Sequence, residues 1–268
     1  MTAQTVVGTP VEMASDDDRS CTILLSDLHI PEGGGPAKDL FCSLLESLRD
    51  PEHTRVVVLG DLFDAYIGPK QNLVGVSAQI VEAVRATVER GVSVTVLHGN
   101  RDFMLDQDFA TRAACRVVAG GLRIQLGGEP CLLLHGDELC QRDLPYQRAK
   151  RILRHSWARA VFRNLPLAVA MRLADRARNR SATVIASGDQ SRFDPTASAL
   201  EQVFDGSVAT LVFGHIHRPA RGRFGVGEYA ILPAFDEAGV YLEYRDGGLG
   251  YCRVGGGGVE DYPARDFR

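Results

Sequence analysis

The sequence lacks several features that would place it in a specialised class of protein. Its six cysteines are scattered, with no Cys-x-x-Cys pair and far below the density of a disulfide scaffold, which argues against a zinc ribbon or a secreted disulfide framework. No window approaches the ~20 apolar residues that span a bilayer, and the N-terminus has no basic region followed by an apolar stretch of signal-peptide length. We therefore expect a cytoplasmic chain with reduced thiols that neither spans a membrane nor is exported by that route.

Low-complexity sequence is also scarce: it is limited to the glycine run 255–258, and no internal repeat is visible. The 268 residues are 45% hydrophobic, 24% charged and 7% aromatic, which is the composition of an ordinary folded protein. That length suffices for one large domain with an insertion. We expect a folded domain over residues 21–255 with an insertion at about 142–185, between a disordered tail at 1–20 and a second tail at 256–268.

The net charge is only −4, but the charges are unevenly distributed. Residues 142–180 contain eleven basic residues and two acidic ones, a formal charge of +9, so the remainder of the chain carries −13. The basic residues are Arg142, Arg148, Lys150, Arg151, Arg154, Arg159, Arg163, Arg172, Arg176, Arg178 and Arg180. A cationic segment on an acidic body indicates an anionic partner or surface, although composition alone is explained equally well by a solvated helix face.

Short runs of β-branched residues and leucine, each followed by a polar cluster, predict buried strands. These runs are TILLSDLHI from Thr22, RVVVLGDLFD from Arg55, SVTVLHGNRD from Ser93, CLLLHGDE from Cys131 and TLVFGHIHRP from Thr210. Apolar residues at helical spacing predict a helix over 74–90, with further helices at 41–48 and 197–204. After residue 228, the segments EYAILP, GVYLEYRD and GLGYCRV predict three more strands. This pattern indicates an α/β fold.

The basic segment has the pattern of a helical hairpin. Residues 146–163 place apolar side chains at helical spacing with basic residues on the other faces, and Pro166 separates them from a second helix at 167–178. The apolar face consists of Leu153, Trp157, Val161 and Leu167. Such a face either packs on the body of the protein, which is the commoner case, or covers the apolar part of a ligand.

Each of the five predicted strands from Thr22 to His217 ends in groups suited to metal or phosphate chemistry. The groups are Asp27 and His29, Asp61 and Asp64, Asn100 with Arg101 and Asp102, His135 with Asp137, and His215 with His217. In open α/β sheets the site lies outside the carboxyl ends of the strands, so these loops should converge. Each cluster alone is usually a turn or a helix cap, but chance does not readily place four of seven histidines beside carboxylates in such loops. Imidazole and oxygen donors together suit manganese, iron or zinc.

Taken in order, SDLHI, GDLFD, HGNRDF, LHGDEL and GHIHRP resemble the calcineurin-like metallophosphoesterase superfamily, whose signature is D-x-H, GD, GN, H and G-H-x-H. The resemblance implies a four-layer α-β-β-α sandwich in which the helical hairpin is a cap insertion. It also implies two divalent cations, expected to be manganese, with Asp61 as the bridging ligand. One cation would be held by Asp27, His29, Asp61 and His217, and the other by Asp61, Asn100, His135 and His215.

Longer matches narrow the resemblance. GDLFDAYIG, HGNRDFML, LLLHGDELC and the basic insertion are similar to the UDP-2,3-diacylglucosamine pyrophosphohydrolase family of lipid A biosynthesis, in which arginine follows the asparagine of the GN motif. This similarity implies attack by water at the uridine-linked phosphorus, giving UMP and 2,3-diacylglucosamine 1-phosphate, by a protein bound peripherally to the anionic cytoplasmic face of the inner membrane. The implied substrate contacts are Asn100, Arg101, Asp143, Ser181 and His215. Of these, the resemblance makes Asn100, Arg101 and His215 the catalytic groups.

The chain departs from that family after Ser181, where the family usually has lysines that hold the anionic head of the substrate. The lysines of this chain are Lys38, Lys70 and Lys150, so either arginines replace the missing lysines or the head group differs. Two alternatives remain open: a metallophosphoesterase of other specificity, acting on nucleotides or other phosphodiesters, and a non-catalytic scaffold on the same fold. We expect no nucleic-acid partner, because no recognised nucleic-acid motif accompanies the basic segment. The sequence specifies no protein partner.

Overall fold

The computed structural model describes residues 10–13, 19–174, 176, 190–256, 259, 261–265 and 267. Within them the strands are β1 (Val11–Glu12), β2 (Cys21–Leu25), β3 (Thr54–Val58), β4 (Ser93–Leu97), β5 (Arg116–Val118), β6 (Leu122–Leu126), β7 (Glu129–Leu134), β8 (Thr210–Phe213), β9 (Ala220–Phe224), β10 (Gly227–Ile231), β11 (Val240–Arg245) and β12 (Gly248–Arg253). The helices are α1 (Pro36–Ser47), α2 (Gly75–Glu89), α3 (Gln107–Arg112), α4 (Leu144–Leu153), α5 (Ser156–Asn164), α6 (167–174), α7 (Ala197–Val203) and α8 (Phe235–Ala238).

The strands form two six-stranded sheets. The first sheet has the order β12-β11-β2-β3-β4-β5, in which β2 to β5 are parallel and β11 and β12 are antiparallel at one edge. The second has the order β1-β6-β7-β8-β10-β9, with β7, β8 and β10 parallel to one another. The five strands predicted from apolar runs are β2, β3, β4, β7 and β8, and the three predicted near the C-terminus are β10, β11 and β12. These strand predictions are confirmed.

Alternate residues of the first sheet face two different cores, since successive side chains of a strand point to opposite faces. Ile23 and Val56 pack in a cluster with buried residues of α1 and α2. Leu24 and Val57 pack with residues of the second sheet, including Leu133. A third cluster lies on the outer face of the second sheet and includes residues of α7. The layers are therefore helix, sheet, sheet and helix, as the α-β-β-α prediction states.

The predicted helix over residues 74–90 is α2, and its apolar spacing accounts for its position. Val76, Ile80 and Val84 repeat every four residues and are buried against the first sheet, which is the stripe expected of an amphipathic helix. Gly91 follows the last turn with φ of 107°, a value that glycine adopts without steric cost. The helix therefore ends where the sequence predicts.

The cap differs from the predicted hairpin, because the first of its two expected helices is divided in two. Residues 146–163 were expected to form one helix, but α4 ends at Leu153 and α5 begins at Ser156. His155 between them has extended backbone angles and accepts a hydrogen bond from the backbone N–H of Trp157 at 3.4 Å, so it caps α5. The second predicted helix corresponds to α6; residue 175 and residues 177–189 lie outside the described residues.

Described parts of both predicted tails contact the folded domain. Val11 and Glu12 form β1, which pairs with β6, so this part of the segment 1–20 is not the disordered tail that we expect from its composition. At the other end, the Tyr262 ring lies 4.8 Å from that of Tyr251, and the Phe267 ring 5.0 Å from that of Tyr229. Backbone pairing and aromatic burial explain both attachments. Among the described residues, no helix is long and apolar enough to cross a membrane.

Candidate metal centre and active site

The predicted metal ligands lie together where β2, β3 and β4 of the first sheet and β7 and β8 of the second sheet end. Five of them have positive φ angles between 45° and 68°, which is uncommon for residues other than glycine. These five are Asp27, His29, Asp61, His215 and His217. Such strain is retained only where the surroundings impose it, and it clusters at functional sites. The backbone is therefore bent so that these side chains converge.

One group of ligand atoms comes from the loops after β2 and β8. His217 Nε2 lies 3.1 Å from Asp27 Oδ1 and 3.2 Å from His29 Nε2, and the donor atoms of the three residues lie within 4.8 Å of one another. Asp27 Oδ1 and His29 Nδ1 are buried and have no hydrogen bond of acceptable geometry among the described residues. Because buried polar atoms are normally satisfied, these atoms point to a missing ligand.

A second group surrounds Asn100, which follows β4. Its Oδ1 lies 2.9 Å from His135 Nε2 and 3.0 Å from His215 Nδ1. Asp61 lies between the two groups, since its Oδ2 is 3.8 Å from His29 Nδ1 on one side and 3.8 Å from His135 Nε2 on the other. This is the position that a bridging carboxylate requires.

Burial controls the charge of this cluster. It lowers the pKa of His29 to about 3 and that of His215 to about 4, so both imidazoles are neutral and have a free lone pair for a metal. Burial also raises the pKa of Asp61; His135 opposes this effect, and the nearby carboxylates of Asp102 and Asp27 add to it. Asp61 and Asp27 in turn raise the pKa of His135 to about 9, against the effect of its burial. At Asp27 the surrounding imidazoles outweigh burial and lower the pKa. The carboxylates thus need a compensating positive charge.

The residues fit a pair of divalent cations. The donor set is imidazole nitrogen with carboxylate and amide oxygen, it contains no thiolate, and two of its buried atoms lack partners. Each of the seven predicted ligands has a donor atom within 4 Å of another ligand's donor atom. The site is therefore a candidate for binding divalent metal ions.

The arginine next to Asn100 lies at the rim of the centre. Arg101 Nη1 donates to Asp64 at 2.6 Å, its Nε lies 3.7 Å from Asp61, and its side chain is 32% exposed. Its backbone N–H donates to Asp61 Oδ1 at 2.9 Å. The residue therefore holds Asp61 in place and keeps a partly exposed guanidinium beside the cluster.

The other two predicted substrate contacts are placed differently. Asp143 is the N-cap of α4, where its side chain accepts from the backbone N–H of Tyr146 at 3.3 Å. Ser181 lies outside the described residues. The structure thus brings together the seven predicted metal ligands and Arg101, and it assigns Asp143 a capping role at the base of the cap.

Two further aspartates of the strand-end loops, for which the sequence gives no role, have structural partners. Asp102 is fully buried and accepts from the backbone N–H groups of Gly99 at 2.8 Å and Leu62 at 2.7 Å, which fixes the loops after β3 and β4 to each other. Asp137 is also fully buried and is paired with Lys150 of α4. The spacing of the basic residues in the sequence places several of them on one side of α4, but nothing in the sequence identifies Asp137 as their partner.

The comparisons with known proteins agree with this geometry. The family model described as calcineurin-like phosphoesterase matches residues 22–219. The chain belongs to this family. A protein of Stutzerimonas stutzeri named UDP-2,3-diacylglucosamine hydrolase is 39% identical over 199 residues, which cover 74% of this chain and 82% of that protein. A protein of the same name from Pseudomonas syringae pv. tomato is 34% identical over 85% of this chain and 93% of that protein. This chain is thus a member of the family of proteins that carry that name.

The sequence identity to a solved structure of similar fold is lower than that to these two relatives. Vacuolar Protein Sorting 29 from Cryptosporidium parvum is 15% identical, covers 87% of this chain and 95% of that chain, and superposes with a TM-score of 0.43. A likeness at this level supports no argument about function.

Substitution of the shared carboxylate tests the centre directly. Because Asp61 lies between both groups of ligands, Asp61→Ala should lower the rate more than about 100-fold and reduce bound metal, a larger effect than the 10–100-fold typical of residues behind a ligand. The melting temperature should not fall, since the substitution removes a buried charge and no apolar packing. Asp64→Ala removes the partner of Arg101 and should be milder. More than a few per cent of wild-type rate for Asp61→Ala at saturating Mn²⁺ would contradict this assignment.

The contact between the loops after β3 and β4 gives a second prediction. A Cβ at position 99 would overlap the side chain and backbone nitrogen of Asp61. Gly99→Ala should therefore displace Asp61 and weaken Mn²⁺ binding, measured by calorimetry, whereas Gly250→Ala, where nothing lies within 4 Å of the new Cβ, should leave Mn²⁺ binding unchanged. Equal Mn²⁺ affinity in the two variants would show that the close approach is not required.

Proposed function

We propose that this chain hydrolyses the pyrophosphate bond of UDP-2,3-diacylglucosamine, producing 2,3-diacylglucosamine 1-phosphate and UMP, a step of lipid A biosynthesis. The observation that carries the proposal is the position of Asp61 between two groups of imidazole and oxygen donors, 3.8 Å from one imidazole of each. The name of the curated relatives supports the choice of substrate. A non-catalytic scaffold on this fold is disfavoured, because such a protein would not need to retain the complete donor set.

The proposed metal ligands are the seven residues described above. Their nitrogen and oxygen donors suit manganese, iron or zinc, and Mn²⁺ is the proposed cation because of the resemblance to the metallophosphoesterase family. The ligands are Asp27, His29, Asp61 and His217 on one side, and Asp61, Asn100, His135 and His215 on the other. Two divalent cations bound there would stabilise the charge that develops on the phosphoryl oxygens and favour ionisation of the attacking water. Burial holds the imidazoles of His29 and His215 neutral, which is the state that such cations require, and cations bound there would displace the protons that the carboxylates favour on His135 and His217.

The substrate phosphates would meet Arg101, because its guanidinium is partly exposed beside the cluster and has the planar geometry that suits phosphate oxygens. Asn100, Arg101 and His215 are the proposed catalytic groups, with Asp143 and Ser181 as further substrate contacts. All three lysines have protein partners: Lys38 donates to Gln79, Lys70 donates to the backbone of Leu165, and Lys150 pairs with Asp137. We therefore propose that arginine provides the positive charge for the head group.

The position of Arg101 predicts the effect of replacing its planar guanidinium group, which can donate two parallel hydrogen bonds to a phosphate. Arg101→Lys keeps the charge but loses bidentate donation, so kcat/KM should fall by an amount equivalent to roughly 2–4 kcal/mol, the range found for groups that stabilise transition-state charge. Bound metal, measured by elemental analysis, should be unchanged. Wild-type kinetics in both Arg101→Lys and Arg101→Ala would remove this residue from the proposal.

The cap supports a lipid substrate because many of its large apolar side chains are exposed. Among the described residues, seven of the eleven large apolar side chains that are exposed belong to the cap. The seven are Leu144, Ile152, Leu153, Trp157, Val161, Val169 and Leu173. Exposed apolar surface of this kind marks a binding site for a ligand, a protein or a membrane. We propose that it covers the acyl chains and contacts the anionic inner membrane, with Arg148 and Arg159 at the headgroups.

Truncation of the cap tryptophan separates lipid binding from ordinary packing. Trp157→Ala should raise KM for the diacylated substrate, since each buried methylene contributes ~0.8 kcal/mol, and should leave bis-nitrophenyl phosphate hydrolysis nearly unchanged. Binding to vesicles of phosphatidylglycerol and phosphatidylethanolamine should also weaken. The control is Val226→Ala, at an apolar residue on the turn between β9 and β10 that is 77% exposed, compared with 58% for Trp157. An equal loss on both substrates together with a lower melting temperature would show that the cap merely packs on the domain.

A substrate panel tests the proposed function as a whole. The protein is incubated with Mn²⁺ and UDP-2,3-diacylglucosamine, UDP-N-acetylglucosamine, bis-nitrophenyl phosphate or single-stranded DNA. Release of UMP is measured for the two UDP-sugars, of nitrophenol for the diester and of shortened fragments for the DNA. Selective release of UMP from the diacylated substrate is expected. Faster hydrolysis of the soluble diester or the DNA would favour a metallophosphoesterase of other specificity, and hydrolysis of none of them would favour a scaffold.

A further inference from the structure

The buried carboxylate of Asp137 collects donors from one face of α4. Its Oδ2 lies 2.7 Å from Lys150 Nζ and 3.8 Å from Arg154 Nη2, and it accepts the hydroxyl of Tyr146. The three donors are spaced four residues apart, so they lie on the same side of the helix. Asp137 comes two residues after His135, in the same loop. One face of the cap is thus attached to a loop that carries a proposed metal ligand.

The same helix face also reaches the loop that carries Asn100. Arg154 Nη2 donates to the backbone carbonyl of Gly99 at 3.1 Å, and Gly99 directly precedes Asn100. Gln147 Nε2 donates to the backbone carbonyl of Asp137 at 2.8 Å, which fixes the backbone of the first loop as well as its side chain. Arg154 therefore contacts both loops whose side chains meet at Asn100 Oδ1.

We propose that Asp137, Lys150 and Arg154 form a latch that positions Asn100 and His135 for metal binding. Burying three charged groups carries a desolvation cost that apolar contacts would avoid, so the attachment of the cap alone does not explain this choice of residues. What the charged groups add is a link between two loops: Arg154 Nη2 donates to the carbonyl of Gly99 after β4 and lies within ion-pair distance of Asp137 after β7. They are positioning residues that act through the ligands, as hydrogen-bonded residues behind metal ligands do.

Two basic residues of the latch do not contribute to the cationic surface of the cap. The side chains of Lys150 and Arg154 are 12% and 26% exposed, and both are directed at Asp137. Arg151, on the same helix, is exposed. The basic segment therefore contains inward-facing cations with a local task, besides those available to an anionic surface.

The test measures metal binding by the full chain without any substrate. Calorimetric titration with Mn²⁺ compares wild type, Arg154→Met, Arg154→Lys and the control Arg151→Met. Arg154→Met should weaken binding of at least one Mn²⁺ by about 10–100-fold, the effect typical of residues that orient metal ligands. Arg154→Lys should be intermediate because it keeps a cation beside Asp137 but loses the second contact, and Arg151→Met should match wild type. With bis-nitrophenyl phosphate, Arg154→Met should lower kcat more than it raises KM.

The measured Mn²⁺ affinities either support or overturn the proposed latch. Wild-type Mn²⁺ affinity in both Arg154 variants, with or without a lower melting temperature, would reduce the network to a simple attachment of the cap and overturn the proposal. If Arg154→Met fails to fold, Arg154→Lys decides by the same measurement. The inference rests on the proposed metal centre, but its failure is distinguishable from that of the proposed function. Mn²⁺ binding that depends on Arg154, in a protein that releases no UMP from the diacylated lipid, would uphold the latch and reject the substrate.

Discussion

The centre depends on the burial of Asp61 at a point where two backbone segments nearly touch. Asp61 has lost its hydration, and it lies among other carboxylates rather than opposite an arginine that neutralises it fully. A buried charge in this position is costly unless a positive charge compensates it. Burial keeps the imidazoles of His29 and His215 neutral, so compensation within the chain is limited to His135, whose pKa Asp61 and Asp27 raise to about 9 against the effect of burial, to His217 and to the guanidinium of Arg101. Divalent cations would complete this compensation, which makes the cluster a candidate metal centre.

The fold meets this requirement by bringing the ends of strands from two sheets to one place. A single parallel sheet would present its loops in a row, whereas two packed sheets present loops that face each other across the centre. Glycine at positions 60 and 99 then allows the loops after β3 and β4 to approach within a distance that excludes a Cβ. Asp102 holds the contact closed through backbone hydrogen bonds. The packing of the two sheets therefore determines how closely the metal ligands approach one another.

The sequence predicts those features that depend on short stretches of chain. The strands β2, β3, β4, β7 and β8 are continuous apolar runs, and the ligands follow them within a few residues. In contrast, β6 alternates buried leucine and isoleucine with Arg123 and Gln125, a period-two pattern of a half-buried strand that differs from a continuous apolar run, and β9 contains arginine and glycine and has neither signal. The break between α4 and α5 depends on a histidine cap that periodicity does not register. Asp137 and Arg154 become partners only through the tertiary structure, and no local pattern identifies such a pair.

Helix α4 has the opposite orientation from an ordinary amphipathic helix on a protein surface. Its charged residues Lys150 and Arg154 face the domain, while Leu144 and Ile152 are 58% and 57% exposed. In water this arrangement forfeits the hydrophobic stabilisation that normally holds such a helix in place, and the buried ion pairs must hold it instead. The orientation becomes favourable once an apolar ligand or a lipid surface covers the outer face. The proposed role of the cap in lipid binding accounts for both the inward charge and the exposed apolar surface.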